Sequence, residues 1–203
     1  MIERILPLTK NRIEILRLIY DAGETHLLDI SKNLGLHPYS VQKTLSFLKP
    51  VLEQKKHGKT IVLKINTKLR EREELFFIIE DYKVGCSLPK VKTVVNNVQM
   101  FFSGDKNILA CCLFGSYARG GINPESDVDL LFVVSKSKGE DEILKGCRDI
   151  SGVIGCEINP VIMSEKEFFS ALKERKPMIE TILKPSQRLI LIGKEYFLRN
   201  TFM

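Results

Sequence analysis

The chain has 203 residues, 44% of them hydrophobic and 28% charged, with 31 Lys and Arg against 25 Asp and Glu. This is the composition of one medium or two small globular domains, and the longest apolar run, Ile108 to Phe114, falls far short of the roughly 20 residues a membrane span needs. Trp is absent and only five Tyr are present, which leaves little material for an aromatic platform that stacks single-stranded bases.

The opening Met-Ile-Glu-Arg and Pro7 lead to an expectation of no signal peptide. Five cysteines without CxxC or metal-ligand spacing are expected as buried free thiols of a reducing, cytoplasmic compartment. Residues 9–22 carry Ile13, Leu16, Ile19 and Tyr20 at helical spacing, with Thr9 as N-cap and Gly23 as stop. A second helix is expected over Leu27–Leu34, ended by Gly35, and a third over Pro38–Leu48, with Pro38 tolerated in its first turn. Val41, Leu45 and Leu48 form the buried stripe of that third helix, leaving Tyr39, Gln42, Lys43, Ser46 and Lys49 for its other face. Two short strands follow, Val51–Gln54 and Thr60–Ile65, joined by Lys55-Lys56-His57-Gly58-Lys59.

Between His26 and Asn66 stand seven basic residues, two acidic ones and all three histidines, a concentration of charge that suits a polyanionic partner. Three helices followed by a hairpin with a basic tip resemble a winged helix-turn-helix. That resemblance implies that Tyr39, Gln42, Lys43 and Ser46 enter a major groove of duplex DNA while Lys55, Lys56 and Lys59 grip phosphates. The same fold also serves as a dimerisation or docking module, and the residues leave both uses open. Asn66–Lys83 is a charged amphipathic segment whose Leu69, Leu75, Phe76 and Ile79 suit a connecting helix or the contact of a homodimer.

From Leu88 the pattern changes. A helix is expected over Pro89–Phe102, then strands at Ile108–Phe114, Val128–Val134, Val153–Ile162 and Arg188–Ile192. Helices at Glu140–Ile150, at Glu165–Glu174 and just before Lys184-Pro185 alternate with them. The chain is thus expected as α+β: a winged helix-turn-helix domain at 1–66, a connecting helix at 67–85, and a small mixed-sheet α/β domain at 86–203.

Within 108–134, an apolar strand runs into Gly115-Ser116, and Ser126-Asp127-Val128-Asp129 opens a second apolar strand. Asp127 and Asp129 are two apart on an extended segment, so both point to one side of the sheet. Two such carboxylates repel unless a cation lies between them. Opposite a small-residue turn, they form the donor set that divalent metal and a triphosphate require. Glu157 stands as an isolated charge in the following apolar run, costly there without a partner, with an ordinary exposed acid on an edge strand as the alternative reading.

Gly115-Ser116, Ala118-Arg119-Gly120, Ser126, Asp127-Val128-Asp129 and Leu130 together resemble the signature of the minimal nucleotidyltransferases of the DNA polymerase beta superfamily. The resemblance extends loosely over residues 88–193. It implies a small nucleotidyltransferase fold in which Asp127, Asp129 and Glu157 hold two Mg²⁺ or Mn²⁺ ions. It also implies that Gly115 and Ser116 hold the phosphates of a nucleoside triphosphate, ATP first among them. Glutamate at 157 departs from the aspartate more usual in that family. Arg119 serves the phosphates or packs against a local carboxylate; the sequence favours neither.

No GxxxxGK[ST] or HExxH is present, and no GxSxG accompanies a His/Asp set. Ser164 ahead of Glu165 and Glu167 reads as an N-cap with first-turn acids. Relatives of the resembled kind include antitoxins that attach AMP to a partner toxin and enzymes that modify aminoglycosides. The first reading is transfer of a nucleoside monophosphate to a hydroxyl of a protein such as a partner toxin, governed by a DNA-binding domain. The alternatives are a winged-helix regulator whose second domain senses a nucleotide or is an inactive scaffold, and a protein-interaction module.

Overall fold

The computed structural model describes residues 7–58, 60–123, 125–135 and 139–201. They divide into two compact units, with the boundary between Tyr82 and Lys83.

The first unit opens with helix α1 (Lys10–Ala22), which buries Ile13, Ile15, Leu16, Ile19 and Tyr20. Thr9 precedes it in extended geometry with no side-chain capping bond, in contrast to the expected cap; its carbonyl instead accepts the Ile13 N–H at 3.0 Å. A short strand β1 (Glu24–His26), too brief to announce itself in sequence, leads to α2 (Leu27–Leu34) and α3 (Pro38–Leu48). The hairpin strands are β2 (Leu52–His57) and β3 (Thr60–Ile65), and all three strands form an antiparallel sheet in the order β1-β3-β2. Helix α4 (Arg72–Gly85) lies within the segment 67–85 expected as a connecting helix, starting later than expected, and packs its apolar stripe inward. Tyr20 lies 5.0 Å from the Phe76 ring and donates to Glu80 Oε1 at 2.7 Å, while Tyr82 donates to Glu14 Oε1 at 2.7 Å. Leu75, Phe76 and Ile79 are buried within the chain. The homodimer contact expected of that stripe is therefore not available there.

The second unit is a four-stranded mixed sheet in the order β6-β5-β4-β7. Its strands are β4 (Ile108–Phe114), β5 (Val128–Val134), β6 (Ile158–Ser164) and β7 (Leu189–Ile192). β4 runs antiparallel to β5 and β7, while β5 and β6 are parallel. One face is covered by α5 (Pro89–Phe102) and α7 (Glu140–Ile154), through Val94, Val98, Phe102, Ile143 and Ile150 packed on Leu113, Leu130 and Phe132. The other is covered by α8 (Glu165–Lys173) against β5 and β6 and by α10 (Lys194–Thr201), which the sequence reading lacked, against β4 and β7. Both faces being covered explains why β4 and β5 read as nearly continuous apolar runs. A five-residue helix α6 (Gly115–Arg119) follows β4, and α9 (Pro177–Leu183) precedes β7. Arg188 is buried, donating to the Ile182 carbonyl at 3.0 Å and lying 5.1 Å from the Phe197 ring; Lys83 donates to the carbonyls of Pro185 and Arg188 at 2.6 and 3.0 Å.

The strand expected over Val153–Ile162 divides, because α7 continues to Ile154 and β6 begins only at Ile158. Gly155 ends the helix in the left-handed region at φ 68°, with its N–H on the Ser151 carbonyl at 2.9 Å. Of the five free cysteines, Cys111, Cys112 and Cys147 are buried as expected, but Cys156 is partly exposed and Cys86 is exposed. Among the described residues, no helix is long and apolar enough to cross a membrane.

Candidate active site

The acidic pair is built by the start of β5. Asp127 stands just before the strand, exposed, and Asp129 is half-buried and in register with Phe114 at the end of β4. The chain then turns through Gly115 at φ 71°, where a Cβ would sit 2.0 Å from Asp129 Oδ2. Glycine is needed there on both counts: the backbone conformation, and the carboxylate pressed against its α-carbon. Burial pushes the Asp129 carboxyl above the usual carboxylate range, the Asp127 charge pushes it further, and the Arg119 guanidinium acts against both.

The loop between α6 and β5 is held by short bonds. Gly121 N–H donates to the Ser116 carbonyl at 3.1 Å. Ser126 Oγ accepts from the Asn123 N–H at 2.9 Å, and the Ser126 N–H donates to the Asn123 carbonyl at 3.0 Å. The Ser126 hydroxyl is thus engaged in shaping the turn that delivers Asp127. Ser116 is half-buried one residue past Gly115. Arg119 is exposed, with Nη1 donating to Gln187 Oε1 at 3.5 Å, a partner the sequence reading did not name. Tyr117 anchors α6 from below: it is buried and donates to Cys156 Sγ at 3.3 Å.

Glu157 stands one step ahead of the Val128–Ile158 pair, as Asp127 does. It lies exposed in the two-residue lead-in between Gly155 and β6, and its backbone carbonyl accepts the Val128 N–H at 2.8 Å. Among the described residues, no three His, Cys, Asp or Glu side chains gather as a metal centre. The side chain that does reach the pair is Asn159, whose Nδ2 donates to Asp127 Oδ2 at 3.1 Å. A neutral amide carries no charge signal in a sequence; its alternation with Glu157 was the one available clue. The donor set present, two carboxylates in mutual repulsion on one face, fits a single divalent cation shared between them.

In the first unit, Tyr39, Gln42, Lys43 and Ser46 are exposed along α3, and Lys55 and Lys56 along β2. Gln42 and Ser46 line a cleft of about 480 Å³ with His26, Leu28, Lys49 and Ile61. Ser46 Oγ also donates to the Lys43 carbonyl at 2.7 Å. Lys59 lies outside the described residues.

Residues 96–188 match the family described as polymerase beta, nucleotidyltransferase. That span runs from within α5 to Arg188 and includes the Gly115 turn and both aspartates, so the second unit carries a nucleotidyltransferase-type domain. Among solved structures, the chain is similar to a toxin–antitoxin solved with AMP-PNP (15% identity, TM-score 0.38, covering 56% of this chain and 84% of that one). It is also similar to a variant of the toxin–antitoxin MntA-HpeT (10%, TM-score 0.37, 56% and 84%). A third similarity is to a Sulfolobus solfataricus protein described as a nucleotidyltransferase (21%, TM-score 0.28, 47% and 78%). No curated protein matches the chain.

Proposed function

We propose that the second unit transfers a nucleoside monophosphate from a nucleoside triphosphate, ATP in the first instance, to a hydroxyl acceptor on a protein, a partner toxin being one such acceptor. The observation that carries this reading is the pairing of Asp127 and Asp129 with the Gly115 turn, inside a span that matches the nucleotidyltransferase family. A Mg²⁺ or Mn²⁺ ion held by the two carboxylates supplies neutralisation of the negative charge that gathers on the phosphates. The chain's own residues do the rest. Gly115 and Ser116 receive the triphosphate, Arg119 offsets its charge, and Ser126 shapes the turn that aims Asp127. The acceptor oxygen bonds to the α-phosphorus as the bridging bond to the β-phosphate breaks. Pyrophosphate leaves, and the hydroxyl proton passes to a carboxylate of the site.

For the first unit we propose a winged helix-turn-helix that binds duplex DNA. Support comes from the order of three helices and a hairpin, the exposed Gln42, Lys43, Lys55 and Lys56, and the basic excess of residues 26–66.

The test of the transfer is direct. The full chain is incubated with Mg²⁺ or Mn²⁺, each α-labelled nucleoside triphosphate in turn, and lysate of its source. Label is expected on a specific macromolecule, and Asp127→Asn is expected to abolish it while circular dichroism stays unchanged. Label that persists undiminished in D127N removes the assignment.

A further inference from the structure

We infer that Asn159 is the third member of the acidic site: a neutral positioning residue that holds the Asp127 carboxylate, so that a divalent cation is bound by two carboxylates there and not three. The inference rests on reading Asp127 and Asp129 as the cation-holding pair.

The register of the sheet is the starting point. β5 and β6 are parallel, with Val128 opposite Ile158 and Asp129 opposite Asn159. Side chains at paired positions leave a sheet on the same face, so Asn159 shares the face of Asp129. Its Nδ2 donates to Asp127 Oδ2 at 3.1 Å, which links all three side chains across the start of two neighbouring strands. A carboxylate only accepts hydrogen bonds, while an amide brings two N–H donors and one acceptor oxygen. The bond from Asn159 to Asp127 is therefore charge-assisted and restrains an otherwise exposed carboxylate. Restraint before binding removes part of the ordering cost that a cation would otherwise meet.

The chemistry of the position also argues for neutrality. A third carboxylate at 159 would join a pair that already repels, with the Arg119 guanidinium acting against that repulsion at Asp129. The amide adds a donor to Asp127 without adding charge. Glu157 stands one step ahead of Ile158, as Asp127 stands one step ahead of Val128; both are exposed, and the side chain that bonds Asp127 is that of Asn159.

Three variants of the full chain separate the possibilities, read by Mn²⁺ calorimetry and by thermal melts with and without Mn²⁺. Asn159→Ala is expected to weaken Mn²⁺ binding three- to tenfold, and Glu157→Gln to leave it within twofold. Asn159→Asp is expected to tighten binding at least fivefold, to melt below wild type without Mn²⁺, and to recover when Mn²⁺ is added. A gain in N159D places position 159 beside the cation, and the loss in N159A reports the hold of its amide on Asp127. A tenfold loss in E157Q with N159A unchanged would make Glu157 the third member and overturn the inference. A cation-free readout stands beside these: the side-chain amide resonance of Asn159 is expected to move in D127N and to stay in E157Q. A wild-type chain that binds no Mn²⁺ overturns the cation reading of the whole site. An Asn159 amide indifferent to D127N overturns the positioning role by itself.

Discussion

At the scale of single residues, Asp129 and Gly115 form one device, because the carboxylate occupies the space a Cβ at 115 would need. The raised Asp129 carboxyl makes the device sensitive to pH. The folded state holds the Asp129 proton more tightly than the unfolded chain does. The protonated group therefore contributes stability that is fully present below the usual value of 3.8 and is lost as pH rises through the folded value. Asp129→Asn, neutral at every pH, should match wild type in acid and melt above it near neutrality. Melting curves from pH 3 to pH 7 check this; equal melting temperatures at pH 7 would count against it. The turn and the two aspartates were legible because small residues and like charges leave marks in a sequence. Asn159 was not legible, since its part depends on a strand register that no local pattern states.

At the scale of elements, the boundary between α7 and β6 decided which side chain meets the acidic pair. Val153 and Ile154 are as apolar as a strand requires, and a short apolar run cannot be told from a buried helix end by composition. The difference is made by Gly155, whose left-handed φ closes the helix and leaves Cys156 and Glu157 outside both elements. β1 was missed because three residues carry little periodicity, and α10 because Phe197 and Leu198 alone do not mark an apolar stripe. Termini with explicit chemistry read better. Ser164 and Glu167 form a reciprocal capping box at the start of α8, where Glu167 Oε2 accepts the Ser164 N–H at 2.8 Å and Ser164 Oγ accepts the Glu167 N–H at 3.3 Å. Bonds from Ser164 hold the Glu167 carboxyl below its usual range. Ser164→Ala should cost about 1 kcal/mol of unfolding free energy, measurable by urea titration, with nucleotidyl transfer unchanged per folded molecule.

At the scale of the whole molecule, charge is spread unevenly: the net excess is six, and residues 26–66 hold seven of the 31 basic side chains against two of the 25 acidic ones. Duplex binding through that segment predicts affinity that falls with salt. Neutralising Lys55 and Lys56 together should flatten the log–log slope by about two, and changes at Gln42 should alter preference among sequences more than overall affinity. Binding measured from a randomised duplex pool across a salt series tests both, and a slope unmoved by the double change would assign the first unit to docking. The distribution of thiols has a practical consequence. Cys111 and Cys112 are sealed between helices and sheet, burial drives the Cys111 thiol far up, and Cys147 is pushed up to about 12. Cys156 is only partly exposed and accepts from the Tyr117 hydroxyl, while Cys86 is exposed. A maleimide dye added to the native chain should therefore attach first at Cys86, as peptide mass mapping would reveal. The molecule thus offers a natural fluorescent handle close in sequence to the boundary of its two units, with which nucleotide and duplex binding can be tested without engineered cysteines.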